Sequence, residues 1–219
     1  MSSPAAGQVA GKLSLQSGYE VRGYSVSHGR PVGVLELSYD DPSGIYVSAS
    51  SFGALPNHDD SGLLGLIGDA GYARRLSPGI SIDGGVDHSE YIYPGPGGFH
   101  LGYTEVYAGL SLPHLSAHLS YSPAYFRPGA KTLYSEVEGN MGAFAGLRLN
   151  AHLGVLTYLA SPAGQATPRG QYDWRIGASR QFGAFDLHAA VSGGGPDPDH
   201  YDLQPHSKTT FIVGAGYTF

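Results

Sequence analysis

From Val9 to Phe219, apolar and polar side chains change places at every second position. The plainest stretch is LRLNAHLGVL, residues 147–156. Here Leu147, Leu149, Ala151, Leu153 and Val155 fall on one side, and Arg148, Asn150 and His152 on the other. Successive side chains of a β-strand point to opposite faces, so a period of two gives each strand one apolar and one polar face. An amphipathic helix needs apolar residues spaced by three and four, and no segment shows that spacing. The chain is therefore expected to be all-β, and the question becomes what covers the apolar faces.

The alternating segments number about twelve: residues 9–23, 34–40, 44–52, 63–74, 80–87, 103–112, 115–122, 132–140, 147–156, 173–181, 185–192 and 210–219. In the first, Val9, Leu13, Leu15, Tyr19 and Val21 oppose Lys12, Ser14, Gln16, Glu20 and Arg22. In the fourth, Leu64, Leu66, Ala70 and Tyr72 oppose Asp69. Short connections (41–44, 77–79, 113–114, 140–144 and 181–184) alternate strictly with longer ones (24–31, 53–62, 88–100, 123–131, 157–171 and 193–208). Short periplasmic turns, long outer loops and an even strand number describe a bacterial outer-membrane barrel. Both termini then lie on the periplasmic side. Free termini gain little by packing, yet this chain ends on the strand-like FIVGAGYTF. That strand is expected to pair with the first and close the sheet, which leaves no edge.

Composition agrees with a membrane barrel. Only 14% of the residues are charged, against about 25% in ordinary soluble domains. No stretch approaches the roughly 20 apolar residues of a membrane helix. A transmembrane strand resolves this, because its lipid-facing residues are diluted one in two. A soluble barrel or sandwich also alternates, but would turn its polar face to water and carry more Lys and Glu there. The net charge of −6 argues against nucleic acid as a partner. The absence of Cys excludes disulfides and thiolate metal sites. The opening MSSPAAGQ lacks a basic, then apolar, signal sequence, so a mature chain is expected. Residues 1–8 are read as a flexible segment and 9–219 as one barrel domain.

On this reading the polar face lines a lumen. It carries Glu20, Arg22, Glu36, Asp69, Asp83, Asp87, Glu105 and His118 in the first seven strands. Glu136, Glu138, Arg148, Asn150, His152, Asp173, Arg175 and His188 follow in the next four. Carboxylates outnumber Lys and Arg there, so an open path favours cations. In a narrow barrel the same residues can instead pair and fill the interior. Tyr19, Tyr39, Tyr72, Trp174, Tyr217 and Phe219 are expected in the aromatic girdles at the membrane interfaces.

Catalytic and metal chemistry find little support. His88, Ser89 and Glu90 are adjacent in the chain and cannot form a triad, since neighbours point to opposite faces, and no GxSxG occurs. His118, His152 and His188 are scattered along the polar face and read as hydrogen-bonded imidazoles. The loop 193–208 holds Asp197, Asp199, His200, Asp202 and His206, which suit a divalent cation or a solvated outer loop. YPGPGGFH, residues 93–100, reads as a rigid hairpin tip. No catalytic residue, cofactor or metal is assigned.

Three stretches carry a resemblance to a known family: SGYEVRGYSVSHGRPVGVLELSYDDPSGIYVSAS (17–50), YTEVYAGLSL (103–112) and GASRQFGAFDLHAAVS (177–192). They resemble the TorF family of porins, and the likeness runs from Gly18 to Phe219. The resemblance implies a small outer-membrane barrel with a pore and brings no substrate or catalytic residue. The expected function is a weakly cation-selective, porin-like channel for small polar or cationic solutes in the Gram-negative outer membrane. The alternatives are a non-conducting barrel that serves as scaffold or partner subunit in an envelope complex, and a lipid-modifying enzyme. Expected partners are membrane lipid and lipopolysaccharide, with envelope proteins besides.

Overall fold

Alternating segments become strands because β geometry puts every second side chain on the same face. The structure, a computed structural model, describes residues 7–57, 60–93, 99–162, 164, 170–195 and 209–219. Its strands are β1 (Gln8–Gln16), β2 (Glu20–Val21), β3 (Tyr24–Ser25), β4 (Val32–Asp40), β5 (Ile45–Asn57), β6 (Asp60–Ser77) and β7 (Ile80–Tyr93). They continue with β8 (Phe99–Ser111), β9 (Leu115–Ser122), β10 (Lys131–Gly142), β11 (Leu147–Ala160), β12 (Gln171–Phe182), β13 (Phe185–Gly195) and β14 (Thr210–Thr218). Among the described residues the only helical turn is a 3-10 turn at Phe144–Gly146.

Twelve of these strands, all but β2 and β3, form one closed antiparallel barrel in which β1 pairs with both β4 and β14. Closure extends to the final residue. The Phe219 N–H donates to the Gly11 carbonyl at 2.9 Å, and the Gly11 N–H returns a bond to Phe219 at 3.0 Å. A Cβ at Gly11 would sit 2.5 Å from the Phe219 ring, so glycine here lets the ring lie flat on the first strand. Phe219 then stacks beside Tyr217, which packs on Phe185. Every barrel strand turns its apolar side outward, as exposed Leu13, Leu37, Val47, Leu119, Leu153, Ile176 and Phe211 show.

Several boundaries differ from the sequence reading. The strand expected over 9–23 stops at Gln16, and residues 17–31 fold into the barrel. Left-handed backbone at Arg22, Gly23, His28 and Gly29 breaks the strand and makes this inward turn. Tyr19 therefore leaves the expected girdle and stacks on Phe52 inside the barrel, with ring centroids 4.4 Å apart. Leu64 was expected to face outward with Leu66. A register shift between Phe52 and Gly53 turns it inward, where it is 2% exposed. Two expected long loops shrink because pairing continues past their predicted ends, to Asn57↔Asp60 and to Tyr93↔Phe99. Residues 1–6, the hairpin tip 94–98, and Asp197, Asp199, His200, Asp202 and His206 lie outside the described residues.

Candidate functional site: a charged lumen beneath an apolar plug

Inward-facing positions change character along the barrel. Toward the long-loop end they carry Val32, Val34, Phe52, Tyr91, Tyr103, Leu156 and Tyr158, all buried in one cluster. Toward the short turns they carry Lys12, Glu36, Asp83, His118, Glu138, Arg148, Asn150 and His188. Apolar side chains can face a lumen and stay buried only if something fills that half of it.

The filler is residues 17–31. A two-pair hairpin, Glu20↔Ser25 and Val21↔Tyr24, gives the segment a core. Its base is tied by the Tyr19 N–H donating to Ser27 Oγ at 2.9 Å, and by the Val26 N–H donating to the Tyr19 carbonyl at 2.9 Å. From its attachment between β1 and β4, the segment reaches across the barrel. Ser192 of β13 donates to Glu20 at 2.5 Å. Gly23, at φ +78°, packs so tightly that a Cβ would lie 3.1 Å from Asp173 Cβ and 3.2 Å from Gly194 Cα. Arg22 holds Glu105 of β8 with two bonds, Nη1–Oε1 at 3.1 Å and Nη2–Oε2 at 2.5 Å. Its guanidinium carbon lies 3.9 Å from the ring centre of Tyr134 on β10. Glu105 is 1% exposed. A buried carboxylate of this kind persists only when a fitted cation neutralises it, and a forked guanidinium gives the best fit. Tyr125 and Phe126, from the connection between β9 and β10, pack on Tyr103 and complete the aromatic layer.

Beneath the plug lies a cavity of about 890 Å³. It runs from Arg148, Gln181 and Asp186 beside the short turns up to Tyr19, Arg22 and Gly23. A second space of about 420 Å³ is lined by Tyr46, Asp69, Asp83, Asp87, Tyr107 and His118. Both spaces share Val21, Arg22, Ile67 and Glu136, so they form one lumen.

One wall, β5–β8, is acidic. Tyr46 donates to Asp83 at 3.2 Å and meets the Tyr107 hydroxyl at 2.6 Å. The Tyr46 ring end lies over Gly71 and the Tyr107 hydroxyl over the paired Gly71 and Gly85, where a side chain would collide with them. Ser48 donates to Asp69. His118 approaches Asp83 at 3.5 Å and Glu136 at 4.0 Å. The other wall mixes signs. His152 lies 2.8 Å from Asp173 and 3.3 Å from Glu138, and Tyr134 donates to Asp173 at 3.1 Å. Arg175 approaches Glu138 at 3.4 Å, while Asp186 binds Lys12 at 2.9 Å and His188 at 3.0 Å.

The sequence-named residues thus meet in clusters, with Glu20 and Arg22 on the plug rather than on a wall. His118, His152 and His188 do not gather. Each has its own carboxylate, and among the described residues no group of three ligands suits a metal. Ser89 faces inward and is buried, while His88, Glu90, His100 and Thr104 share the outer surface. There His88 Nδ1 meets Thr104 Oγ1 at 2.9 Å and His100 meets Glu90 at 3.2 Å. Tyr39, Tyr72, Tyr217 and Phe219 are exposed on the outer face near the short turns. Trp174, between exposed Tyr172 and Ile176, sits nearer the long loops. The sequence reading missed the inward apolar layer and the Arg22–Glu105 pair. The signal for the layer was present: Val32, Val34, Leu156 and Tyr158 put apolar residues on the polar side of their strands.

The barrel resembles solved outer-membrane channels. The KdgM porin aligns at TM-score 0.57 with 15% identity, covering 96% of this chain and 98% of that one. The COG4313 outer membrane channel from Pseudomonas putida F1 aligns at 0.59 with 14% identity, covering 99% and 96%. Identity at this level shows a shared fold, that of the outer-membrane β-barrel porins. No curated protein matches the chain. The resemblance to TorF porins is borne out at the level of the outer-membrane barrel fold. The chain belongs to the Gcw_chp family, bacterial proteins of unknown function, whose model matches residues 2–207.

Proposed function

We propose that the chain is a porin-like channel of the Gram-negative outer membrane for small polar or cationic solutes, gated by residues 17–31. The observation that carries this reading is the size and charged lining of the lumen, about 890 Å³ below the plug. A structural barrel has no need of a space that large lined by half-exposed Glu138, Arg175 and Arg148. The porin fold and the resemblance to TorF porins support the same reading. Carboxylates on the lumen wall concentrate cations and repel anions, and salt near 1 M shortens the Debye length to about 3 Å and weakens that preference. The channel conducts when the plug shifts, and the plug joins the barrel through segments that hold Gly18 and Gly29.

Planar-bilayer recording tests this. The intact protein is expected to show small, intermittent cation-selective steps. Removal of residues 18–30 is expected to give larger and steadier ones, and Glu136→Gln with Glu138→Gln a lower cation preference. The filled apolar layer favours a second reading, a non-conducting barrel that serves as an envelope scaffold. Silence from both the intact and the plug-deleted protein, each correctly folded, would establish that reading instead. Anion selectivity would mean that Arg148 and Arg175 set the constriction.

A further inference from the structure

Groups of opposite charge line opposite sides of the lumen. Asp69 on β6 and Asp83 and Asp87 on β7 have hydroxyl or imidazole neighbours at most, and among the described residues no Lys or Arg lies within 4.0 Å of them. On the mixed wall, Lys12 is used by Asp186, but Arg148 has no carboxylate within 4.0 Å among the described residues, and Arg175 holds Glu138 only at 3.4 Å with both half exposed. In the ring of twelve strands β12 lies opposite β6, and β13 lies opposite β7. Arg175 and Asp69 stand on opposite strands at similar heights, seven residues from the Phe182 end and eight from the Ser77 end. Both charges border the same continuous space.

We propose that this lumen selects dipolar solutes, small molecules with an ammonium and a carboxylate on one short chain such as a dipeptide, over neutral molecules of equal size. The ammonium turns to Asp69 and Asp87, and the carboxylate to Arg148 and Arg175. Fixed charges across a narrow water-filled passage set up a transverse field, and a dipole aligned with it gains at both ends. A simple cation gains at one wall only, and a simple anion is repelled by the more heavily charged acidic wall.

Transport by this route rests on the channel reading, but binding does not, so the two are measured separately. The folded protein in detergent micelles is titrated with glycylglycine and with neutral N-acetylglycinamide, and NMR shifts of the ligand report binding. Glycylglycine is expected to bind about fivefold more tightly, near the factor that one water-screened charge contact supplies. Arg148→Gln with Arg175→Gln is expected to shrink that ratio while glycinamide, a cation, binds no more weakly. If that variant does not fold, Asp87→Asn, which is expected to shrink the ratio from the other wall, carries the test. Equal binding of the two ligands by the intact protein overturns the inference. Liposome swelling then tests transport: binding preference without swelling keeps this inference and removes the channel, while swelling without binding preference does the reverse.

Discussion

Arg22 and Glu105 are the pair on which the interior most depends. A buried ion pair is weak evidence for net stability, because desolvation offsets much of the attraction. Removal of one partner is a different matter, since it strands the other charge. Glu105→Gln is therefore expected to destabilise the barrel by about 3 to 5 kcal/mol. Adding Arg22→Met to it is expected to recover most of that loss. Guanidinium unfolding in micelles, run as a double-mutant cycle, measures both; an additive double variant would show that the two side chains do not act together. A second residue-level expectation separates the two faces of β11. Leu153→Arg puts a charge in the lipid-facing band and is expected to cost about 2 to 4 kcal/mol, whereas Asn150→Arg, toward the lumen, costs far less. Equal costs would mean that the strand is turned over.

At the scale of elements, the last strand and the inward segment do the organising. β14 pairs with β13 along its length and with β1 as far as Lys12↔Thr218. The Phe219 ring rests over Gly11, beyond the last register pair. Gly11→Val leaves no room for that ring, and Phe219→Ala removes it. Each is expected to lower the temperature at which the protein loses its unboiled gel mobility, with a loss of about 1 kcal/mol for the aromatic contact. No shift in either variant would mean that the closing seam holds without its aromatic cover. The inward segment works differently. It has only two register pairs of its own, so its position comes from the wall residues that receive it.

For the whole molecule, the two rims of the barrel set its orientation in the membrane. Short turns at one rim and longer connections at the other predict that the short turns are periplasmic. The chain has no Cys, so single cysteines at Pro78, in a short turn, and at exposed Pro128, in a long connection, give a clean comparison. An impermeant thiol reagent added to intact cells is expected to label the second and spare the first. The reverse labelling would invert the topology and put the plug at the periplasmic mouth.

The sequence alone determined the strand class, the number of barrel strands and the facing of most side chains along them, because those depend on a local period of two that survives any tertiary arrangement. Leu153 outward and Asn150 inward could be read from residues 147–156 alone. The charged half of the lumen was legible for the same reason. What only the tertiary structure decided is where alternation stops mattering. Residues 17–23 alternate as well as any strand, yet left-handed backbone at Arg22 and Gly23 takes them off the wall. Their destination depends on Phe52, Glu105, Tyr134 and Ser192, which lie far away in the chain. Likewise Leu64 changed faces through a register shift with the neighbouring strand. A one-residue slip reverses every side chain beyond it, and it is set by pairing between strands rather than by the residues within one.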